Sequence, residues 1–438
     1  MPSKPTGISK ATNSLEHLGD MVYFYEMRSI VIACPKGNAT GGPEALHQLF
    51  YALKNNGYEV SLWDPNLNSM NLEPVNGYSA YEPKWTTEPP QVNDVLIIPE
   101  IMGHLVPLFY WSCPIVFWWL SVDNFYNADR IQLREIVGGF SDVIHCYQSE
   151  YARLHLVENG IHPALPLSDY INEEFISSAK GLVKEIPKVN SKLLAVNPAK
   201  GFDRISTVLK NIDPKFIVKL EGMTRKEVIE SLEHADVYMD LGNHPGMDRF
   251  PREAALMGCV VVTNQRGAAG NERDIPIPFQ EFKFDDEEKN FEVAIVNQLN
   301  EIFATPNDYF HLQDSYRKWI ENGKIRFSQE VKELINAIEC IPLNSDMTNM
   351  FSLNSTVRSI FELMAERDAV IAERDAVMAE RDAVIAERDA VIAERDAVMA
   401  ERDAVIQVKQ LMLKSYSWRL TGALRVMARS PGILKRYF

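Results

Sequence analysis

A seven-residue repeat near the C-terminus constrains the fold more than any other feature of this 438-residue chain. The motif Ala-Glu-Arg-Asp-Ala-Val begins at Ala365 and occurs six times, the last time from Ala400. An isoleucine or a methionine separates successive copies, and neither glycine nor proline interrupts them. Because Ala, Glu and Arg favour helices, the repeat predicts a continuous helix over residues 350–410, in which the six copies span about 60 Å.

A strict seven-residue period is typical of coiled coils, but the charges of this repeat leave two arrangements open. The only positions at coiled-coil spacing that are apolar in every copy are two alanines, for example Ala369 and Ala372. Glutamate and aspartate flank this alanine seam, so like charges would face each other in a parallel dimer. We therefore predict a long coiled-coil-like rod that either forms a homo-oligomer or remains a single solvated helix.

Residues 28–180 alternate between short apolar runs and amphipathic segments. The first of the two predicted helices starts at Pro43, after a loop that contains Gly41 and Gly42, and Ser149 is the expected N-cap of the second helix. Repeated strand–helix units indicate a parallel sheet that is covered on both faces. The predicted strands are 29–34, 58–63, 95–98, 114–120 and 143–147, and the predicted helices are 43–56 and 150–158.

A second series of the same kind occupies residues 190–338. Thr224 and Glu227 have the spacing of a capping box, which predicts the start of a helix. The chain is therefore expected to form two tandem α/β domains, with ligands beyond the carboxyl ends of the strands and in the cleft between the sheets. The predicted strands of this series are 193–196, 216–220, 236–241 and 259–263, and its predicted helices end at 234 and span 251–257.

The composition excludes several classes of protein. A net charge of −15 makes the chain a poor general partner for nucleic acid, because phosphates would be repelled. The five cysteines form no CxxC pair, which argues against both a disulfide framework and a structural zinc site. The expected flexible N-terminus, residues 1–27, has no apolar signal region, and the longest apolar run, 109–120, is too short to cross a bilayer.

The segment 240–264 has the composition of an anion-binding site. A strand is followed by a loop rich in Gly and Pro, and a short helix is expected to start near Pro251. The amides at such a helix start bind anions, and Arg249 just before it could neutralise a phosphate. Glu253, expected in the first turn, can accept two hydrogen bonds from a ribose diol. Ordinary α/β packing, with Glu253 as a surface residue near the helix dipole, is the alternative.

The sequence Glu253-Ala-Ala-Leu-Met-Gly resembles the donor-nucleotide motif of group 1 glycosyltransferases. This resemblance implies the GT-B fold, in which an N-terminal Rossmann-like acceptor domain precedes a C-terminal Rossmann-like nucleotide-sugar domain. Such enzymes usually carry a second glutamate eight residues earlier, where this chain has Pro245, so Asp240 or Asp248 could serve instead. The string from His244 to Glu253 also resembles a subgroup of bacterial surface-polysaccharide enzymes.

The resemblance implies further donor-binding residues. A lysine in the loop after the first strand of the second domain holds the diphosphate in this family, and Lys200 is its counterpart here. The arginine that often precedes this lysine is absent, so Arg249 or Lys219 would supply the charge. In the first domain, Gly41 and Gly42 let the backbone approach a phosphate or sugar closely. We expect no metal and no cofactor, since there is neither an Asp-x-Asp sequence nor a cluster with ligand spacing, and the family implies retention of anomeric configuration.

The acceptor-side residues are less well defined by the sequence. Asp123 is the preferred catalytic candidate, because it follows a buried strand into the expected cleft, and His104 is a second candidate. Asn124 and His145 also lie near strand ends, although the strand pattern around His145 favours packing. Each of these side chains could instead be structural.

The last segment, 411–438, is a basic tail. Residues 407–438 contain seven Lys and Arg and no acid, and the apolar side chains share one helical face. Such a helix suits an anionic membrane surface, although a protein partner is the alternative. The sequence from Ser417 to Arg425 also resembles a C-terminal motif of polysaccharide-assembly proteins.

Together these features predict a cytoplasmic glycosyltransferase, peripheral on the inner membrane, that transfers a sugar from a nucleotide diphosphate to a growing, lipid-linked surface glycan. A catalytically inactive GT-B scaffold for polysaccharide assembly is the main alternative, and a GT-B-like sugar epimerase is a weaker one.

Overall fold

The fold was analysed in a computed structural model. The chain forms two compact units, residues 1–358 and 359–438. The predicted flexible segment 1–27 and most of the predicted basic tail lie outside the described residues. The structure describes residues 29–37, 39–66, 73–92, 94–128, 131–181, 192–341 and 353–414, together with Thr421, Gly422 and Arg425.

The first part of the globular unit is built on a seven-stranded sheet. The strands are β1 (Ile30–Ala33), β2 (Val60–Trp63), β3 (Trp85–Thr86), β4 (Val95–Pro99), β5 (Ile115–Trp119), β6 (Ile144–Tyr147) and β7 (Ala164–Pro166). Their order is β3-β2-β1-β4-β5-β6-β7, and each pair of neighbours is parallel. The helices are α1 (Gly41–Asn55), α2 (Val106–Phe109), α3 (Val122–Ala128), α4 (Leu133–Gly139), α5 (Glu150–Glu158) and α6 (Glu173–Gly181).

The second part of the globular unit has a five-stranded sheet. Its strands are β8 (Leu194–Val196), β9 (Ile217–Lys219), β10 (Val237–Asp240), β11 (Val260–Asn264) and β12 (Lys283–Phe284). The order is β12-β11-β10-β8-β9, again with parallel neighbours throughout. The helices are α7 (Phe202–Leu209), α8 (Arg225–His234), α9 (Arg249–Leu256), α10 (Phe279–Phe282), α11 (Phe291–Ala304), α12 (Pro306–His311), α13 (Asp314–Glu321) and α14 (Gly323–Glu339).

Each sheet has its own hydrophobic core, and two helices are exchanged between the cores. Phe175 of α6 packs into the core of the second sheet, whereas Phe327 and Val331 of α14 pack into the core of the first. The two crossings meet, because a Cβ added to Gly323 would lie 3.5 Å from the Cβ of Tyr170. The expected boundary at 338 therefore assigns α14 to the second domain although it packs on the first.

The predicted strands are all present, with ends that differ by no more than two residues. The Ser149 hydroxyl accepts from the amide of Ala152, and the capping box of Thr224 and Glu227 forms as expected. The sequence analysis missed β3, β7 and β12, which contain two or three residues each. Such short edge strands carry too few residues to show a pattern.

The repeat forms the helix α15 (Leu353–Lys414), which has 62 residues and a length of about 93 Å at 1.5 Å per residue. The predicted continuous helix is confirmed, and its association with other chains stays a prediction. The valines of the repeat are 60–65% exposed. Among the described residues, no helix combines the length and apolar character that crossing a bilayer requires.

Candidate functional site

The candidate site lies at the topological switch point of each sheet, where successive strands stop being added on one side of the first strand and are added on its other side. In the second sheet this point falls between β8 and β10, and in the first sheet between β1 and β4. Loops that leave such neighbouring strands diverge and open a crevice beyond their carboxyl ends. Lys200 follows β8, and the loop that carries His244 and Asp248 follows β10.

Lys200 forms an ion pair with Asp248, at 2.7 Å between Nζ and Oδ1. Two glycines bring these loops together. Gly201 has a left-handed φ of 64°, and a Cβ there would lie 2.5 Å from the carbonyl oxygen of Leu241. A Cβ on Gly242 would lie 2.8 Å from the Cβ of Lys200. The sequence therefore requires glycine at both positions to place the lysine against the loop after β10.

Helix α9 starts earlier than expected, which changes the surroundings of Glu253. The helix begins at Arg249 rather than near Pro251, so Glu253 is its fifth residue and lies in the second turn. The expectation of a first-turn carboxylate stabilised by the helix dipole is therefore wrong.

Glu253 is instead a buried carboxyl group, with 9% of the residue exposed. Burial raises its pKa to about 7; the nearby Arg249 lowers the pKa and Glu44 raises it. A buried carboxyl group without a strong ion pair can accept hydrogen bonds from a diol once it is ionised. The alternative interpretation, in which Glu253 is a surface residue near the helix dipole, does not account for this burial.

Arg249 was predicted to neutralise a phosphate, and its charge is already neutralised in this structure. Its Nη1 lies 2.9 Å from Oε2 of Glu44, and its Nη2 lies 2.9 Å from Oδ2 of Asp169. Arg252 also contacts Asp169, at 2.9 Å, and Arg225 contacts Glu44, at 3.1 Å. An incoming anion would have to compete with two carboxylates for Arg249.

Gly41 and Gly42 lie in the first turn of α1 rather than in a loop before it. A Cβ added to Gly41 would lie 3.3 Å from Cδ of Arg249. The nearest neighbour of a Cβ on Gly42 would be Cδ1 of Leu120, at 3.9 Å. The missing side chain of Gly41 thus makes room for the arginine from the second domain, a role that the sequence did not reveal.

The acceptor-side candidates follow strands of the first sheet. Asp123 is the second residue of α3, is half-buried, and accepts a hydrogen bond from the hydroxyl of Tyr151 at 3.1 Å. Asn124 is the next residue of this helix and is exposed. His104 is half-buried in the 3-10 helix Glu100–Leu105 after β4. His145 lies inside β6 and receives a hydrogen bond from Trp119, as packing predicts.

The backbone next to Asp123 contacts the second domain. The amide of Val122 donates to the carbonyl of Pro245 at 2.9 Å, and a Cβ on Gly246 would lie 2.1 Å from the carbonyl oxygen of Leu120. Glu100 stabilises the backbone of this region, because its Oε2 accepts a hydrogen bond from the Leu120 amide at 3.0 Å. Asp123 is therefore adjacent to the contact between the two domains.

Three side chains of the loop after β10 form a cluster that the sequence analysis did not recognise. Ligand atoms of Asp240, His244 and Asp248 lie within 4.8 Å of one another. The two carboxylates face opposite ring nitrogens: Nε2 lies 3.8 Å from Asp240, and Nδ1 lies 3.2 Å from Asp248. One cation cannot bind both ring nitrogens, and the ammonium of Lys200 already contacts Asp248. The geometry fits a row of alternating charged groups better than a chelate.

No protein-family model matches the chain, and no curated protein matches it at the level of sequence. Solved structures do match. The sucrose-phosphate synthase from Thermosynechococcus elongatus has a TM-score of 0.51 and 12% identity, over 71% of this chain and all of that chain. A trehalose-6-phosphate synthase, OtsA, has a TM-score of 0.47 and 12% identity, over 72% of this chain and 99% of that chain. The first likeness establishes the GT-B fold.

Several residues of the site were not found from the sequence. Glu44, Glu100, Asp169 and Arg252 have partners that lie far away in the chain, and single-sequence patterns carry no signal for such pairs. His244 differs, because Asp240 and Asp248 lie four residues from it on either side. Glu44, for example, follows the predicted Gly-Gly-Pro helix start and could have been noted only as a first-turn acid. The missed residues are Glu44, Glu100, Asp169, His244 and Arg252.

Proposed function

We propose that the globular unit is a glycosyltransferase that takes its sugar from a nucleotide diphosphate. The observation that carries the proposal is the position of Lys200 and Glu253 in a GT-B fold: Lys200 lies in the loop after β8, and Glu253 is buried on α9. An ammonium group can bind a diphosphate, and a buried carboxylate can bind a ribose diol. These are the two charged requirements of a nucleotide donor.

The chemistry that these residues would perform is electrostatic. Transfer of the sugar leaves a nucleoside diphosphate, and negative charge grows on the leaving oxygen. Lys200 and the first amides of α9 would stabilise that charge, and Arg249 would join them if it leaves Glu44. Retention of anomeric configuration, which the sequence resemblance implies, belongs to the same proposal. Asp123 and His104 stay the candidates that would contact the acceptor hydroxyl.

Binding of nucleoside diphosphates tests the proposal directly. A ligand that binds only the folded state raises the unfolding temperature, so a thermal-shift screen of several nucleotides should find one that stabilises the chain. Isothermal titration should then give at least tenfold weaker binding for Lys200→Ala and for Glu253→Ala, about 1.4 kcal/mol or more. If no nucleotide binds the wild-type chain, the proposal fails.

Two exposed residues provide matched controls. Lys226→Ala removes an exposed lysine of α8, and Glu288→Ala removes an exposed acid outside the strands and helices. Both variants should bind the nucleotide as the wild type does. Circular dichroism of all four variants establishes that a loss of binding is not a loss of folding.

We infer further that the acceptor is a lipid-linked glycan at the inner membrane. The support is the basic sequence after residue 407, in which each cation near an anionic surface contributes about 1 kcal/mol. In this interpretation the rod α15 spaces the globular unit from the membrane or sets an oligomer. Deleting two heptads should change product length or activity on a lipid-linked acceptor, and unchanged products would remove the spacer role.

An inactive scaffold is the second candidate, and Pro245 favours it. This residue replaces the usual glutamate of the family, and its carbonyl is occupied by the Val122 amide. A scaffold would bind nucleotide weakly or not at all, and donor hydrolysis or transfer would be absent. Transfer that Glu253→Ala abolishes without unfolding the chain would exclude this candidate.

A further inference from the structure

A chain of four charged groups runs from Lys200 into the interior of the second domain. Its members are the ammonium of Lys200, the carboxylate of Asp248, the ring of His244 and the carboxylate of Asp240. The successive distances are 2.7 Å, 3.2 Å and 3.8 Å. Only the lysine end is substantially exposed, at 39% of its side chain, whereas His244 is 0% exposed.

The inner end of this row of charged groups, Asp240, is held rigidly. Asp240 accepts from the hydroxyl of Tyr238 at 2.9 Å and from the amide of Gly242 at 3.0 Å. The backbone of His244 is fixed as well, because its carbonyl accepts from the Ala268 amide at 2.8 Å. Among the described residues, neither ring nitrogen of His244 has a hydrogen-bond partner, and the groups that face the two nitrogens are the carboxylates of Asp240 and Asp248.

The protonation of the imidazole decides the charge of the group. With a protonated ring, two positive and two negative groups give a net charge of zero. With a neutral ring, the net charge is −1, and Lys200 is then the only cationic partner of Asp248 among these four groups. A doubly negative diphosphate would approach a negative cluster in the second case and a neutral one in the first, so it would bind more weakly in the second.

We propose that His244 is a positioning residue of the donor site: its protonated ring bridges Asp240 and Asp248 and so leaves the ammonium of Lys200 available to a phosphate of the donor. This inference rests on the proposed function, since it concerns how the same site binds its diphosphate. His244 itself does not touch the substrate. It acts through Asp248 on the position and the effective charge of Lys200.

The groups that face His244 set the direction of its titration. Burial lowers its pKa, but the carboxylates of Asp240 and Asp248 raise it, and the net shift is upward although Lys200 opposes it. The pKa of Glu253 is raised as well, to about 7, and its ionisation has the opposite effect on donor binding, because a ribose diol needs the ionised carboxylate. The experiment must therefore separate the two groups.

His244→Asn in the full-length chain provides this separation. Asparagine keeps a group near Nδ1 but can carry no charge. The titration of Glu253 and of the nucleotide's own phosphate cancels when affinities of variant and wild type are compared at the same pH. Isothermal titration with UDP, ADP or GDP, whichever binds the wild type best, should show a loss of about tenfold at pH 6 that falls to about twofold or less at pH 9.

Two further variants keep the test decisive. Asp240→Asn retains the ring of His244 but removes the inner carboxylate, so the affinity of this variant should begin to fall at a lower pH than that of the wild type. His234→Asn changes an exposed histidine of α8 and should leave the whole profile unchanged. A thermal unfolding curve for each variant shows whether it is folded. If His244→Asn does not fold, the pH profile of Asp240→Asn carries the test.

A measurement without ligand reports the charge of the ring itself. In ¹⁵N-histidine spectra of the full-length chain, the resonance that His244→Asn removes should have imidazolium shifts at pH 6. A neutral ring at this pH overturns the inference whatever the nucleotides do. So does a variant-to-wild-type affinity ratio that stays constant with pH.

Two other results separate this inference from competing ones. If the wild type binds no nucleoside diphosphate, the proposed function itself has failed. If Mn²⁺ or Zn²⁺ binds the wild type at one equivalent and His244→Asn abolishes that binding, the cluster is a metal site and the positioning role is overturned.

Discussion

The globular unit and the rod α15 use charge in opposite ways. In the globular unit, charged side chains are buried and pair across the chain: Arg252 is 2% exposed and contacts Asp169, which lies 83 residues earlier. In the repeat, Glu, Arg and Asp are consecutive, so residues three or four positions away from any of them are apolar. Pairs such as Arg402 and Asp403 are adjacent and more than half exposed.

This difference separates what is set by tertiary contacts from what is set locally. A buried charge is tolerable only with its partner in place, because desolvation costs more than most other single changes. An exposed charge on a solvated helix is nearly independent of its neighbours. The two regions should therefore respond very differently to equivalent substitutions.

The largest difference is expected for aspartate replacements. Asp169→Ala leaves the buried guanidinium groups of Arg249 and Arg252 short of a partner, which should lower the free energy of unfolding by about 3–5 kcal/mol. Asp403→Ala in the rod should lower it by less than about 0.5 kcal/mol. Urea unfolding followed by the fluorescence of the buried Trp118 and Trp119 gives the first value. The second value comes from far-ultraviolet circular dichroism, to which the 62 residues of α15 contribute. Equal effects would mean that the Asp169 network is dispensable.

The second difference concerns how the free energy of unfolding depends on pH. Burial raises the pKa of Glu100 to about 8, while hydrogen bonds from the Leu120, Glu100 and Ser121 amides lower it. Between its unfolded pKa of about 4.3 and this value, the folded state holds a proton that the unfolded state has lost, so stability falls as pH rises. The expected slope is about 1.4 kcal/mol per pH unit, or roughly 2–3 kcal/mol between pH 6 and 8.

Glu100→Gln tests this assignment, because glutamine resembles the protonated acid at every pH. The variant should lose most of this slope and become more stable than the wild type at pH 8, as urea titrations at several pH values would show. Part of the slope should persist, since the pKa of Glu253 is raised as well. Glu394→Gln, in the exposed repeat, is the control and should retain the whole slope.

The smallest effect on the globular unit is expected from Ala383→Gly in the rod. Glycine in an exposed helix interior costs about 1 kcal/mol relative to alanine. Hydrogen exchange should accelerate around residue 383, while the unfolding midpoint of the globular unit stays constant. A much larger loss of protection, together with a change in sedimentation, would show instead that the alanine seam is packed against another helix.

The same contrast explains which parts of the fold could be predicted. The helix α15 and the buried strands have periodic patterns that a single sequence displays. The exchange of α6 and α14 was not predictable, because Phe175 and Phe327 are ordinary apolar positions of amphipathic helices. Their patterns show that a face is buried, and they do not show against which sheet.

The candidate site was predictable in part for a related reason. Lys200 and Glu253 stand next to glycines and strand ends that a motif can reveal. The structure then showed that Glu44 and Asp169 occupy Arg249 and that the cluster around His244 reaches Lys200. These contacts join residues from separate loops, and each residue is unremarkable in its own stretch of sequence.

The meeting of the two crossings at Tyr170 and Gly323 has a mechanical consequence. Two covalent connections that touch at one place favour a hinge there, so we expect the two domains to rotate about that place rather than to move apart. Opening of the cleft would break polar contacts between the two domains, among them the ion pairs of Arg249 and Arg225 with Glu44. Breaking a few polar contacts, rather than unfolding either sheet, would open the cleft between the two domains.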